Sequence, residues 1–374
     1  MKNGRNKLCW CGSGKKYKHC HLDRNRSKPV KIWETNEVLS KAFTHKECLC
    51  PENLKTSCTG DIIKAHSVPK SWLKKISING HVLGYKKDLM SIARHKGFPV
   101  PEKIGVNKAS IFTGFCKFHD SNIFKEIEDS PFIGSDEQCF LLAYRAACRE
   151  YFTKYCAVQV IPEMRKQDSG RDIVFQIQYQ SLLDKHEEMS KLGLKNISSE
   201  KNLMDKALDL KDYSDVEYYY LTFKGTAPIL SSGGVFITHD FHGNELQNLA
   251  DINISPNALY YSVVPLGERF SACFVWHKNS RESCLKFIDS LHTQPEYKIG
   301  PCVISFLIEF CENNYFNPLW WAALSPNEHS TINKQFSRGI NPHVSRFKDC
   351  LLRNQLDSIQ WELLDISSNV EPQS

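Results

Sequence analysis

Apolar residues recur at helical spacing from residue 135 to about residue 161. Phe140, Leu141, Ala143, Tyr144, Ala147 and Tyr151 share one stripe, which predicts a single long amphipathic helix. Residues 168–212 continue as helices rich in Lys, Glu, Leu and Gln, with breaks expected near Gly193 and Asp212. From Val216 the period shortens, and segments 216–223, 234–239, 258–264 and 270–276 read as strands separated by Gly, Asn and Pro turns. A helix over 280–291 and an apolar helix over 303–310 follow, so residues 213–374 are expected to form a separate α+β domain. Within it, Trp320-Trp321 after Asn317-Pro318 reads as a core anchor. Phe274-Val275-Trp276-His277 reads as a strand ending on a histidine that could face His239. His239-Asp240, His242 and Arg281 also stand out as polar residues in apolar surroundings, and what this domain recognises is not legible.

Ahead of the long helix the pattern is weaker. Residues 1–22 are too short and too polar to fold without a metal. The Lys/Arg/Ser-rich stretch 23–31 reads as linker, and residues 46–128 carry only short alternating segments, such as 76–78 and 81–83. No apolar run approaches the ~20 residues that cross a bilayer. The basic, polar N-terminus lacks the apolar core of a secretory signal, so no membrane role and a cytoplasmic location are expected.

Charge and cysteine usage sharpen this picture. The net charge of +6 hides an asymmetry: residues 1–120 carry 24 Lys/Arg against 9 Asp/Glu, whereas the remainder carries 24 against 33. A basic front attached to an acidic back suggests that the front meets a polyanion, with nucleic acid (DNA first) as the expected partner. Of the 15 cysteines, seven lie in the first 120 residues in short-spaced groups near histidines. The rest, including Cys139, Cys148, Cys156, Cys302 and Cys311, sit in apolar patterns and are expected to be buried thiols rather than disulfides.

The most specific signal is Cys9-Trp10-Cys11-Gly12-Ser13-Gly14-Lys15-Lys16-Tyr17-Lys18-His19-Cys20-His21. Cys-x-Cys places two thiolates on one tight turn, and Cys20-His21 closes a tetrahedron of three sulfurs and one nitrogen around zinc. Gly-Ser-Gly-Lys lacks the spacing of a phosphate loop and follows no buried strand. The segment resembles the SEC-C motif, a zinc module found at the end of a bacterial secretion ATPase and fused to many other bacterial proteins. The resemblance implies an adaptor that binds a protein partner or nucleic acid and carries no reaction. A closed four-ligand site agrees, because it has no open coordination position.

A second group comprises Cys48-Leu49-Cys50, Cys58, Ala65-His66-Ser67-Val68-Pro69 and Phe115-Cys116-Lys117-Phe118-His119-Asp120. It resembles a zinc-stapled HNH-type nuclease core, a ββα-metal fold of treble-clef type whose first strand ends in the catalytic histidine. The resemblance implies a metal-dependent endonuclease, a build that commonly serves in defence against phage. It implies His66 as general base, Asp120 as holder of Mg²⁺ or Mn²⁺, and Asn122 or Asn107 as a further ligand or orienting group. Cys48 or Cys50, with Cys58, Cys116 and His119, would hold a second, structural zinc. The sequence departs from the family in its Cys-x-Cys-x7-Cys spacing, in the about fifty residues between His66 and Cys116, and in lacking a clear second histidine or asparagine. Residues 65–67, 80–82 and 114–120 also resemble bacterial proteins that pair a SEC-C module with Ala-His-Ser, Gly-His-Val and Gly-Phe-Cys-x-x-His-Asp, which makes His81 another candidate.

The expected chain is thus α+β in five parts: a zinc module (1–26), a linker (27–45), an HNH-like zinc domain (46–134), a helical region (135–212) and a C-terminal α+β domain (213–374). The alternative to a nuclease is a non-catalytic zinc-dependent adaptor that binds nucleic acid or protein.

Overall fold

The computed structural model describes residues 4–86, 88–249, 251–339, 348, 350–351 and 356–370. The chain is α+β, and it divides into two compact units. The first holds residues 1–45, 88–90 and 152–195; the second holds 46–87, 91–151 and 196–374. No helix among the described residues is long and apolar enough to cross a membrane.

In the first unit the chain opens on a knuckle. Leu8 bridges Lys16, Cys9 N–H donates to the Lys15 carbonyl at 2.8 Å, and Tyr17 N–H to the Lys7 carbonyl at 2.8 Å. Gly12 and Gly14 take φ of +72° and +70°, the left-handed geometry that lets so short a loop reverse. A 3-10 turn over Tyr17–His19 then delivers Cys20 and His21. The stretch expected as linker is ordered in two ways. Gly170 N–H donates to the Arg24 carbonyl at 2.9 Å, and α1 (Ile32–Ala42) follows, its start closed by Glu34 accepting from the Lys31 N–H at 2.8 Å.

The second unit carries two sheets. β1 (Ile62–His66) pairs antiparallel with β4 (Ile111–Cys116), with Ile62 opposite Cys116 and His66 opposite Ile111. Between them lie α2 (Lys70–Ile76), β2 (His81–Gly84), α3 (Leu89–Arg94) and β3 (Glu102–Gly105). After β4 come α4 (Lys117–Ile123) and α5 (Lys125–Glu128). The remaining strands are β5 (Val216–Lys224), β6 (Ile229–Val235), β7 (Leu259–Pro265), β8 (Arg269–His277), β9 (Asn314–Phe316) and β10 (Leu363–Ser368). The large antiparallel sheet runs β10-β5-β8-β7-β6-β9-β2-β3. The insertion between β1 and β4 therefore hydrogen-bonds into the C-terminal sheet, through Leu83 opposite Phe316 and Gly84 opposite Tyr315.

Two long helices, α6 (Asp136–Met164) and α7 (Ile173–Leu210), connect the parts. α6 begins where the apolar stripe predicts, and its Phe140–Cys148 stretch is buried. α7 passes through Gly193 unbroken, against expectation. One glycine costs only ~1 kcal/mol relative to alanine, too little to end a helix of 38 residues. The strand expected at 234–239 lies instead at Ile229–Val235, because the apolar Ile229 and Leu230 enter the core. Gly233 and Gly234 stay within the strand, where an added Cβ would collide with Tyr261 and stand 2.8 Å from the Tyr260 ring. The core is completed by α8 (Arg281–His292) and α9 (Glu296–Phe310), where Phe274, Phe287 and Phe306 meet at 5.4–6.1 Å. α10 (Pro318–Ala323) leaves Trp320 and Trp321 half-buried beside Phe316 rather than anchored in the core. All eight cysteines beyond residue 120 are buried thiols outside any disulfide.

Two Cys/His centres and the His66 cluster

At the first centre the donor atoms of Cys9, Cys11, Cys20 and His21 lie within 4.8 Å of one another. Cys9 Sγ is 3.2 Å and Cys20 Sγ 3.1 Å from His21 Nδ1, and Cys11 Sγ is 3.5 Å from Cys20 Sγ. Zinc–sulfur bonds of about 2.3 Å put donors roughly 3.8 Å apart in a tetrahedron, so this set, a few tenths of an ångström tighter than that, could hold zinc. Burial would raise the Cys11 thiol, but hydrogen bonding to Ser13 overrides it and brings the thiol down to about 7. One thiolate, the ligating form, is thus favoured before any metal arrives.

His21 is held from behind. Its Nε2 lies 2.9 Å from Oδ2 of Asp168, a carboxylate with no exposed surface. Gln180 Nε2 donates to the same oxygen at 2.6 Å, and Arg24 Nε donates to Oδ1. Burial disfavours the Asp168 anion, yet the His21 and Gln180 hydrogen bonds and the Arg24 guanidinium hold its carboxyl below the ordinary range. This carboxylate–histidine arrangement leaves Nδ1 facing the thiols, the orientation a metal-ligating imidazole needs.

The second centre gathers Cys48, Cys58, Cys116 and His119, again within 4.8 Å. Each donor is placed by a different local structure. Cys48 sits on an extended segment whose neighbour Leu49 donates to the Gly114 carbonyl at 2.8 Å, alongside β4. Cys58 ends the 3-10 turn Glu52–Ser57. Cys116 is the N-cap of α4, accepting from His119 N–H at 3.4 Å, and His119 lies in the first turn. His119 Nδ1 stands 3.4 Å from Cys48 Sγ and 3.2 Å from Cys116 Sγ, while its Nε2 meets Ser57 Oγ at 3.1 Å. Of the two cysteines left open by the sequence, Cys48 is in the group. Cys50 is buried outside it, its thiol lowered by its hydrogen bond to Cys48. Three sulfurs and one nitrogen again form a donor set that could hold zinc.

The remaining candidates lie outside both groups. His66, at the end of β1, is half-buried, and its Nε2 donates to the Val106 carbonyl at 3.1 Å. That bond fixes the tautomer and leaves the Nδ1 lone pair available. Burial lowers its basicity, which favours the neutral ring. Asp120 has a buried Oδ1 without a hydrogen-bond partner, and burial raises its carboxyl to about 6. Glu128 and Arg145 act electrostatically on both His66 and Asp120. Arg145 is 1% exposed, lies 3.9 Å over the Phe124 ring and pairs with Glu128 at 2.7 Å.

Asn122, expected in this centre, instead spends its amide on the Phe118 carbonyl at 2.8 Å and is exposed. Asn107 is exposed, as is His81, which bonds the Asn79 carbonyl at 2.8 Å. His239 and His277 do not face each other. His239 lies beyond β6 against Thr238, and His277 accepts from Asn279 N–H as the cap of a 3-10 turn. Arg281 pairs with the buried Glu217, which also accepts from Trp276 Nε1 at 2.8 Å.

Sequence reasoning missed Asp168, Ser57, Glu128 and Arg145. Only Arg145 left a local signal, a lone charge amid Ala143, Tyr144, Ala146 and Ala147 on the buried stripe of α6. The partners of Asp168 and Ser57 are distant or unremarkable in sequence.

The first centre defines a compact module whose three cysteines and one histidine could hold a metal. Residues 5–23 match the SEC-C motif, so the chain carries that module at its N-terminus. Among curated proteins, the protein translocase subunit SecA of Pseudomonas savastanoi pv. phaseolicola (strain 1448A / Race 6) is 85% identical over 21 residues. SecA of Pseudomonas syringae pv. syringae (strain B728a) shows the same identity over the same length. Each match covers 6% of this chain and 2% of the relative, so the likeness is confined to the module. No solved structure matches the chain.

Proposed function

We propose that the second Cys/His group and the β1–β4–α4 unit form an HNH-like, treble-clef core that hydrolyses phosphodiesters in nucleic acid. His66 is the general base, and the SEC-C module is a non-catalytic accessory. The observation that carries this reading is the state of His66: outside the zinc-type donors, at the end of the first hairpin strand, with Nε2 committed to the Val106 carbonyl. Nδ1 is then free to take the proton of an attacking water as its oxygen bonds to phosphorus and the ester P–O bond breaks. Asp120, with an unpartnered buried oxygen, is the residue suited to hold Mg²⁺ or Mn²⁺. Such a cation would stabilise the charge that develops on the phosphate and leaving oxygens. The basic composition of residues 1–120 supports nucleic acid as the partner, and buried thiols outside disulfides support a cytoplasmic setting.

The test is cleavage of plasmid, linear DNA, single-stranded DNA and RNA with Mg²⁺ or Mn²⁺, comparing wild type with His66→Ala. Wild-type cleavage should fall by at least ~10²-fold in the variant, with both zinc ions retained. Retained cleavage removes His66 from the reaction. The SEC-C match favours a second reading, a zinc-stapled adaptor; it predicts salt-dependent binding without turnover in either protein.

A further inference from the structure

A cleft of about 470 Å³ opens within the second unit, lined in part by Glu128 of the His66 cluster. One wall is α2, through Trp72 and Lys75. The cleft is also lined by Leu266 in the β7–β8 turn and Arg269 at the start of β8, and by Glu128 at the end of α5 and Phe132 in the chain after it. Lys75 Nζ donates to the Pro265 carbonyl at 3.2 Å, which fixes the ammonium at the lip with donors to spare. Arg269 is exposed on the other side. The carboxylate in the cleft, Glu128, is already paired with buried Arg145 at 2.7 Å, so the unmatched charge there is positive. Glu128 and Arg145 also link the cleft to His66 and Asp120 electrostatically.

We propose that this cleft binds one unpaired nucleotide of a single-stranded nucleic acid next to the His66 centre. Its phosphates lie against Lys75 and Arg269, and its base against half-buried Phe132, with Trp72, 8% exposed, behind it. The proposal rests on the reading of His66 as a phosphodiesterase centre and names the substrate class of that site. Cations interleaved with aromatic side chains are the composition that tracks a single strand, where each base offers a ring face. A concave site of this volume takes one small organic group, not the side of a duplex. The C-terminal turn forms one wall, so the subsite belongs to this chain's own joining of insertion and sheet.

The experiment is fluorescence anisotropy on the full-length, zinc-loaded chain without added Mg²⁺ or Mn²⁺. The probes are a labelled oligothymidylate and a duplex of equal length. Proteins are wild type, Arg269→Glu, and the double variant Lys75→Gln/Arg269→Gln, which removes both charges without reversing either. The single strand should bind more tightly than the duplex, and both variants should lose about tenfold or more in affinity. The slope of log affinity against log salt should shrink by roughly 1.4 in the double variant, about 0.7 for each lost phosphate contact on a single strand. Unchanged affinity and slope in both variants overturn the subsite, as does equal displacement by polyglutamate, which would assign the cleft to acidic peptides. Cleavage by wild type with unaltered binding in the variants removes the subsite and leaves His66 in place. Lost binding with no cleavage by wild type keeps the subsite and removes the nuclease reading.

Discussion

The two Cys/His groups have the same donor set and opposite construction. The first draws all its donors from residues 9–21, and its histidine leans on a carboxylate 147 residues away, Asp168. The second draws its donors from residues 48–119, and its histidine leans on a hydroxyl only 62 residues away, Ser57. A local set of donors forms wherever its short loop can turn, whereas a dispersed set needs the hairpin and α4 in place first. The first site is thus locally specified and remotely oriented; the second is assembled by the fold and oriented nearby. Outer hydrogen bonds of this kind fix the imidazole and tune its basicity, and a carboxylate does so more strongly than a hydroxyl.

The comparison predicts unequal costs of losing each centre. Structural zinc contributes on the order of 10 kcal/mol of binding free energy that is also folding free energy. Cys116→Ser should therefore abolish the main cooperative transition of the second unit or lower its midpoint by more than about 10 °C. Cys11→Ser should leave that transition within a few degrees, although each variant removes one ligand from a group that could hold zinc. Calorimetry with metal analysis on the same samples reads both, and equal thermal losses would erase the distinction.

A smaller difference is expected from the outer partners. Asp168→Asn should weaken zinc at the first centre by roughly 10- to 100-fold, whereas Ser57→Ala should weaken the second only a few-fold. Competition against a chromogenic chelator ranks them; a larger loss from Ser57→Ala would reverse the assignment of strengths.

The smallest effect is a pH dependence that separates the inserted strands from the metal centres. Hydrogen bonding and charge from Lys86, with the Ser91 hydroxyl and the Arg94 guanidinium, hold the Glu102 carboxyl at about 2, below its ordinary 4.5. A lowered carboxyl stabilises the fold above pH 4.5, and that contribution is lost as pH falls towards 2. Lys86 and Arg94 are largely solvated, so the term is on the order of 1 kcal/mol. Glu102→Gln should flatten the acid limb of the unfolding curve by that amount and leave stability at pH 7 lower by the same amount. An unchanged acid limb would show that the three partners contribute nothing.

Legibility in the sequence followed locality. The first donor set, the buried stripe of α6 and the strands near 216–224, 259–265 and 269–277 were readable because their signals are period and spacing within one short segment. The break expected in α7 at Gly193 is absent because a weak local penalty is outweighed by the length of helix around it. His239 and His277, which the sequence allowed to face each other, do not, because strand adjacency is set by hydrogen bonding along the sheet and His239 stands outside it.

By itself, then, the sequence determined the α+β character, the knuckle around Cys9 and Cys11, and the residue types from which a second centre could be built. Only the tertiary structure chose Cys48 over Cys50, joined β2 and β3 to the C-terminal sheet, and set Asp168 behind His21 and Arg145 beside Glu128. The reason is physical. Short-range order is written in side-chain period and turn geometry, but a buried charge acquires its partner only when distant segments pack and exclude water.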